Sequence, residues 1–167
     1  MLALSITDTK MFMQKLLLDT IFDRFLLVEG VIVTSNYFQI DGRFHKDFYS
    51  DETDTSDLAD DGYSYWGSVK PMALGLIKGK NTPLSFTFTL RLNQKNTEKL
   101  LLSADTIYKP ADVAGLFLNL RFENGRLLAT TGTSLKIFSL DRSLDNAWDA
   151  MVKKYFIQQN ISFDENQ

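Results

Sequence analysis

The sequence predicts an α+β fold, in which duplicated β-α-β-β-β units form antiparallel sheets related by a pseudo-two-fold axis. The main observation is a repeat: Lys-Leu-Leu-Leu at residues 15–18 returns at 99–102, and Asp-Thr-Ile follows each copy. Alternating apolar runs flank a turn in both halves, which is typical of β-hairpins. A helical apolar stripe near the C-terminus indicates an extra helix. We therefore expect helices on one face of the sheets and a C-terminal helix docked by Trp148 and Tyr155.

The first repeat covers residues 1–49 and contains one helix. Asp8 or Thr7 can cap this helix, which has a narrow polar stripe and should pack on a sheet. Ser35 and Asn36 form the predicted turn of the hairpin that follows. The predicted strands are 2–6, 25–34, 37–41 and 44–49.

Residues 50–83 are predicted to join the two repeats. Six of the eleven residues from 51 to 61 are acidic, so this segment should be a mobile, solvated loop. Residues 66–77 predict a short helix with Pro71 in its first turn, ended by Gly79.

The second repeat covers residues 84–140, and Asn124-Gly125 is its hairpin turn signal. Its predicted strands include 84–92, 116–122 and 127–131. Residues 141–167 are predicted to form a closing helix, capped by Ser143, and a tail. The docking face of this helix consists of Leu144, Trp148, Met151, Val152, Tyr155 and Phe156.

The composition favours one soluble domain. Of the 167 residues, 44% are hydrophobic, and 13 Phe, 6 Tyr and 2 Trp can fill a large core. The chain lacks cysteine, which excludes disulfides, thiolate metal ligands and cysteine nucleophiles and favours a cytoplasmic location. We expect no membrane association, because no apolar run approaches the roughly 18 residues of a membrane span. The net charge of −3 means that nucleic-acid contact would need a local basic face.

Motif searches predict no catalytic residue, no cofactor and no metal site. His45 is the only histidine, so a histidine metal cluster or a Ser-His-Asp site would rest on one residue. Gly75 and Gly79 enclose three residues where a phosphate loop has four. The acidic loop lacks the alternating oxygen ligands and the closing Glu of an EF-hand.

The order strand, helix and three strands, occurring twice, resembles one domain of the ring-shaped DNA sliding clamps. Residues 116–137, with an apolar strand, a Glu-Asn-Gly turn and an Ala-Thr-Thr second strand, are similar to a clamp hairpin. The chain departs from clamps in the helix near Trp66 and in the added C-terminal helix. It also resembles, over nearly its full length, a short uncharacterised family from anaerobic Firmicutes, most visibly at residues 40–48, 76–86 and 131–137. The clamp resemblance implies a binding protein, whereas the resemblance to the Firmicutes family does not suggest a particular activity.

We therefore expect a non-enzymatic, clamp-like binding module that acts through protein surfaces. If the two repeat helices lie side by side, as in clamps, four lysines share a face and can make weak, salt-sensitive DNA contacts. These are Lys10, Lys15, Lys95 and Lys99.

The tail offers a second surface. Gln158, Ile161 and Phe163 fit the pattern Gln-x-x-aliphatic-x-Phe, which resembles the peptides that dock bacterial replication proteins on a clamp. This predicts a flexible end that docks on a protein partner, with a replication clamp as one candidate, and self-association is also left open. The alternative from another class is an enzyme or small-ligand receptor with a pocket near His45, Arg43 and the acidic loop.

Overall fold

The computed structural model describes residues 1–166. Its strands are β1 (Ala3–Ile6), β2 (Leu26–Val33), β3 (Tyr37–Asp41), β4 (Ala59–Asp60), β5 (Tyr63–Ser64), β6 (Ser85–Arg91), β7 (Val113–Glu123), β8 (Arg126–Leu135) and β9 (Phe163–Glu165). Its α-helices are α1 (Thr9–Leu17), α2 (Trp66–Ile77), α3 (Gln94–Ser103) and α4 (Ser143–Gln158). None of the helices in this part of the chain combines the length and apolar character needed to cross a membrane.

Seven strands form one sheet in the order β3-β2-β6-β7-β8-β1-β9, and every neighbouring pair is antiparallel. The two short strands β4 and β5 pair separately. The longest ladder joins β7 to β8 through Asn124 and Gly125, whose positive φ angles of 53° and 73° suit a tight hairpin turn. The predicted α+β class, with an antiparallel sheet and a C-terminal helix, is confirmed.

The large sheet has one apolar face and one polar face. Phe86, Phe88 and Leu90 are buried along β6, and they alternate with the partly exposed Thr87 and Thr89. The ladder register continues this alternation into the neighbouring strands. The four helices contribute buried side chains to the same core, among them Phe12, Trp66, Leu101 and Trp148. The helices therefore cover the apolar face, as expected.

Side-chain hydrogen bonds define the start of α1 and the packing of α4. Asp8 caps α1 as predicted, because its Oδ1 accepts from the backbone N–H of Met11 at 3.0 Å. Trp148 docks α4 by donating from Nε1 to the Phe117 carbonyl at 2.9 Å. Ser143 is the first helical residue of α4 instead of its cap, and Pro71 lies in the second turn of α2 instead of the first.

Residues 44–49 do not form the predicted third strand. They contain a short 3₁₀-helix at Lys46–Phe48. Phe48 is 83% exposed and Phe44 is only partly buried, so this segment has no apolar face to place on a sheet. The backbone N–H of Phe44 instead donates to the carbonyl of Gly62 at 2.9 Å.

The two halves share an element order and differ in their pairing. The first contains β1-α1-β2-β3 and the second contains β6-α3-β7-β8. However, β1 pairs with β8 and β9, whereas β6 pairs with β2 and β7, so the halves are interleaved in one sheet. Leu16 and Leu100 occupy the same position of the repeated sequence, and both lie on helices. Leu16 is buried, whereas Leu100 is partly buried and Leu101 takes the core position.

The acidic segment is anchored at its C-terminal end. Asp60 Oδ2 accepts from the backbone N–H of Gln94, the first residue of α3, at 3.1 Å. Asp61 Oδ2 accepts from the Arg91 guanidinium at 2.8 Å. The prediction of a mobile loop is therefore wrong for these residues, because distant donors hold their carboxylates.

Candidate interaction surface

Two loops meet beyond the C-terminal end of α3. We call residues 99–108 the second corner, because they carry the second copy of the repeated sequence. The buried Tyr108 has its hydroxyl oxygen 2.7 Å from Ser139 Oγ and 2.9 Å from the Asp141 carbonyl oxygen. Ser143 Oγ lies 3.0 Å from Thr106 Oγ1, and its hydroxyl donates to Asp141 Oδ1. These contacts fasten the second corner to the loop at residues 136–142.

The fastened segments carry large apolar side chains that face solvent. We call this set the apolar patch; its members and their exposed fractions are Leu102 (88%), Ile107 (71%), Ile137 (48%), Phe138 (90%) and Leu140 (84%). Single exposed apolar residues are ordinary on protein surfaces, but a concentration on adjoining loops is typical of an interaction site.

The first corner, residues 15–22, has the same sequence pattern in a different setting. Trp66 of α2 donates from Nε1 to the Leu16 carbonyl at 2.8 Å, and this hydrogen bond is buried. Lys70 of α2 donates from Nζ to the Asp19 carbonyl at 2.7 Å. On the other side, the Tyr155 hydroxyl of α4 donates to the carbonyl of Ile21. Two helices therefore contact the backbone of the first corner, although Leu18 is 59% exposed.

The rim of the apolar patch carries both signs of charge. Lys109 and Lys136 lie within two residues of the patch in the sequence, and so do Asp105 and Asp141. The pKa of Asp141 is lowered, chiefly by the hydrogen bond from the Ser143 side chain and then by that from its backbone N–H. Because the charges are mixed, apolar contact would supply most of the attraction at this surface.

The lysines predicted to contact DNA lie on two helices. They are Lys10 and Lys15 on α1 and Lys95 and Lys99 on α3. The principal helix contacts pair α1 with α2 and α3 with α4. Acidic side chains share a cleft with the two α3 lysines; they are Asp57, Asp60 and Glu98. Duplex binding through all four lysines stays a prediction.

The tail predicted to dock on a partner is part of the fold. Gln158 is exposed at the end of α4, but Ile161 is buried and belongs to the core. Phe163 opens β9, which pairs with β1, and its ring centroid lies 6.2 Å from that of Phe156. The expectation of a flexible end with free apolar anchors is therefore wrong. Docking through these residues stays a prediction that requires β9 to detach.

The site predicted for the alternative function is shallow. His45 is exposed and does not line the concavity that Arg43 shares with Asp41 and Tyr63. Arg43 Nε lies 3.9 Å from Asp41 Oδ1, and both side chains are largely exposed. Across residues 1–166, no group of three or more His, Asp or Glu side chains is placed to hold a metal ion.

The apolar patch was not among the predicted sites. Leu102 and Ile107 occupy the same repeat positions as Leu18 and Ile21, so the repeat alone does not show that they are exposed. The run Ile-Phe-Ser-Leu at residues 137–140 is a signal that could have found it. This run follows a strand directly and is unusually apolar for a connecting loop.

The comparisons give a family and no relative of known role. Residues 15–164 match the model of a family described as a family of unknown function, DUF5721. No curated protein matches the chain, and no solved structure does. The matched span includes both corners and the apolar patch.

Proposed function

Because the chain belongs to the DUF5721 family, which has no assigned function, we propose its role from its own surface. It is a non-enzymatic binding module whose apolar patch receives an amphipathic helix of a partner protein. The observation that carries this proposal is the exposure of five large apolar side chains, one at the end of α3 and four on two loops that hydrogen bonds hold together.

The patch has the properties of a protein-binding surface. Burying one large apolar side chain on association is worth about 1.5–3 kcal/mol, so a few of these residues suffice for measurable affinity. The loops are fastened through Tyr108 and Ser143, so little ordering is required on binding. Phe138 is the aromatic member and the natural central anchor.

The first corner indicates which occupant fits. There, α2 lies over the same sequence pattern and donates hydrogen bonds from Trp66 and Lys70 to the carbonyls of Leu16 and Asp19. At the second corner the contacts come instead from residues 139–141 and from Ser143 at the start of α4, and Leu102 and Ile107 stay exposed. A partner helix with a bulky apolar face would cover them, as amphipathic helices do in other recognition surfaces.

We also propose that the two halves are a clamp-like internal duplication and that the protein is cytoplasmic. It is supported by the shared order of strand, helix and hairpin in the two halves. It is also supported by Phe22 and Tyr108, which follow the same Asp-Thr-Ile sequence and are both buried.

Phage display of a helical peptide library on the immobilised protein tests this function. We expect selected peptides to be amphipathic helices. Their binding should be lost in the variant I107S/F138S/L140S, which removes three exposed side chains of the patch. The matched control is F48S/L84S, because Phe48 and Leu84 are similarly exposed and lie outside the patch.

Two results would contradict the proposal. One is a selection whose peptides bind the patch variant and the control equally well. The other is sedimentation showing a concentration-dependent dimer of wild type that the patch variant does not form, which would make a second copy of this chain the occupant.

A further inference from the structure

A small apolar cavity lies between α3, α4 and the segment that precedes β2. Its volume is about 110 Å³. The apolar residues that line it include Phe25, Leu118, Trp148, Met151, Val152 and Phe156. An apolar cavity of about 150 Å³ is known to bind benzene. This space is smaller, so it suits a short branched chain or a ring that extends partly into the rim.

The interior of the cavity offers no free polar group. The Trp148 Nε1–H donates to the Phe117 carbonyl, and the Tyr155 hydroxyl donates to the Ile21 carbonyl. In residues 1–166, no buried side-chain nitrogen or oxygen lacks a hydrogen-bond partner. A guest inside the cavity must therefore be apolar.

The rim of the cavity is polar. Arg24 and Asn96 line the cavity and also line a neighbouring cleft of about 700 Å³. The Arg24 guanidinium lies 4.8 Å above the Tyr65 ring and 3.5 Å from Asp57 Oδ1. The Asp57 side chain is 88% exposed, so this ion pair is weak and exchangeable.

We propose that this cavity and its rim bind a small amphiphilic carboxylate. The apolar part enters the cavity beneath α4, and the carboxylate takes the place of Asp57 on Arg24, with the Asn96 amide as a second donor. Arginine suits this position because its planar fork donates two parallel hydrogen bonds to one carboxylate. This site lies apart from the apolar patch and does not depend on the proposed function.

The test is an NMR titration with phenylacetate, toluene and acetate. The two tryptophans supply an internal reference, because Trp148 lines the cavity and Trp66 does not. We expect phenylacetate to shift the indole N–H signal of Trp148 but not that of Trp66. A guest of this size should bind with a Kd of about 1 mM or tighter, so a titration to about 10 mM is sufficient. Toluene should give a smaller shift of the same signal, and acetate alone should give none.

Two variants separate the parts of the site. R24Q should weaken phenylacetate binding about tenfold and leave toluene binding unchanged, because it removes only the charged donor. M151F should abolish binding of both, because it fills the cavity from a partly buried position. The matched control for R24Q is R43Q, since Arg43 is similarly exposed (73% against 61%) and lies outside the site.

The proposal is overturned if phenylacetate leaves the Trp148 signal unmoved or shifts both tryptophans alike. It is also overturned if R24Q and R43Q weaken phenylacetate binding equally, or if M151F keeps a native-like spectrum and still binds both compounds. Should M151F not fold, the wild-type Trp148 and Trp66 signals and the R24Q comparison still decide the question.

Discussion

The two corners of the molecule have nearly the same sequence and different surroundings. At the first corner, Trp66 and Lys70 of α2 bind backbone carbonyls, and Tyr155 of α4 closes the other side. At the second corner, a loop and the first residue of α4 make the contacts, and Leu102 and Ile107 remain in solvent. The same local pattern therefore leaves Ile21 partly buried and Ile107 exposed, according to which distant segment packs on it.

The largest expected effect is the loss of the tryptophan that covers the first corner. Trp66→Ala should lower the free energy of unfolding by about 3–5 kcal/mol, because it removes a fully buried ring and a buried hydrogen bond. Phe138→Ala at the second corner should change it by no more than about 0.5 kcal/mol. Urea unfolding of both variants measures the difference, and equal losses would mean that the corners are equally structural.

A smaller effect is expected at Lys70. Lys70→Met should cost about 1–3 kcal/mol, because it breaks the hydrogen bond to the Asp19 carbonyl and leaves the Asp23 carboxylate without its 2.6 Å partner. The methionine keeps the apolar stem of the side chain. Arg121→Met is the control, since the Arg121–Glu123 pair is exposed and should contribute about 0–1 kcal/mol. Indistinguishable denaturation midpoints for the two variants would refute the contribution of Lys70 to the first corner.

The hydroxyl of Tyr155 should contribute about 1 kcal/mol to the free energy of unfolding. It should also make that free energy depend on pH. Burial raises the pKa of Tyr155 above its ordinary value of 10.0. The folded protein therefore holds the phenol proton more tightly than the unfolded chain, and the resulting stability is present below the unfolded pKa and declines as pH rises toward the folded pKa. Tyr155→Phe should be less stable near neutral pH and lose less stability in alkali. Parallel alkaline melting curves for wild type and variant would contradict this assignment.

The smallest expected effect is on DNA binding by the lysines of the two halves. Four phosphate contacts would give a slope of roughly −3.6 in log K against log salt. We expect a slope nearer −1.8, from Lys10 and Lys15 alone, because the lysines of α3 share their cleft with Asp60 and Glu98. Fluorescence anisotropy with labelled duplex DNA measures the slope, and a value that persists in K10E/K15E would remove α1 from the interface.

Much of the local structure could be predicted from residues that act on their neighbours. Asp8 indicates the start of α1, and Asn124-Gly125 indicates the longest hairpin, because capping and turn geometry are decided within a few residues. The apolar stripe of α4 likewise identified Trp148 as a docking residue.

The features that the sequence did not reveal depend on distant partners. Asp60 and Asp61 look like a solvated acidic run until Gln94 and Arg91 are brought to them. Ile161 stands in a polar tail and is nevertheless buried. Both parts of the proposed interaction surface were missed for the same reason, because exposure at residues 102–107 and 137–140 depends on how distant segments pack.

The position of β1 has a consequence for synthesis of the protein. Leu4 pairs with Ala129 of β8 on one side and with Glu165 of β9 on the other. Because ribosomes extend the chain from its N-terminus, β1 is made long before either strand that flanks it. It has no strand to pair with while the intervening chain emerges, so β1 enters the sheet only after residue 130 has left the exit tunnel.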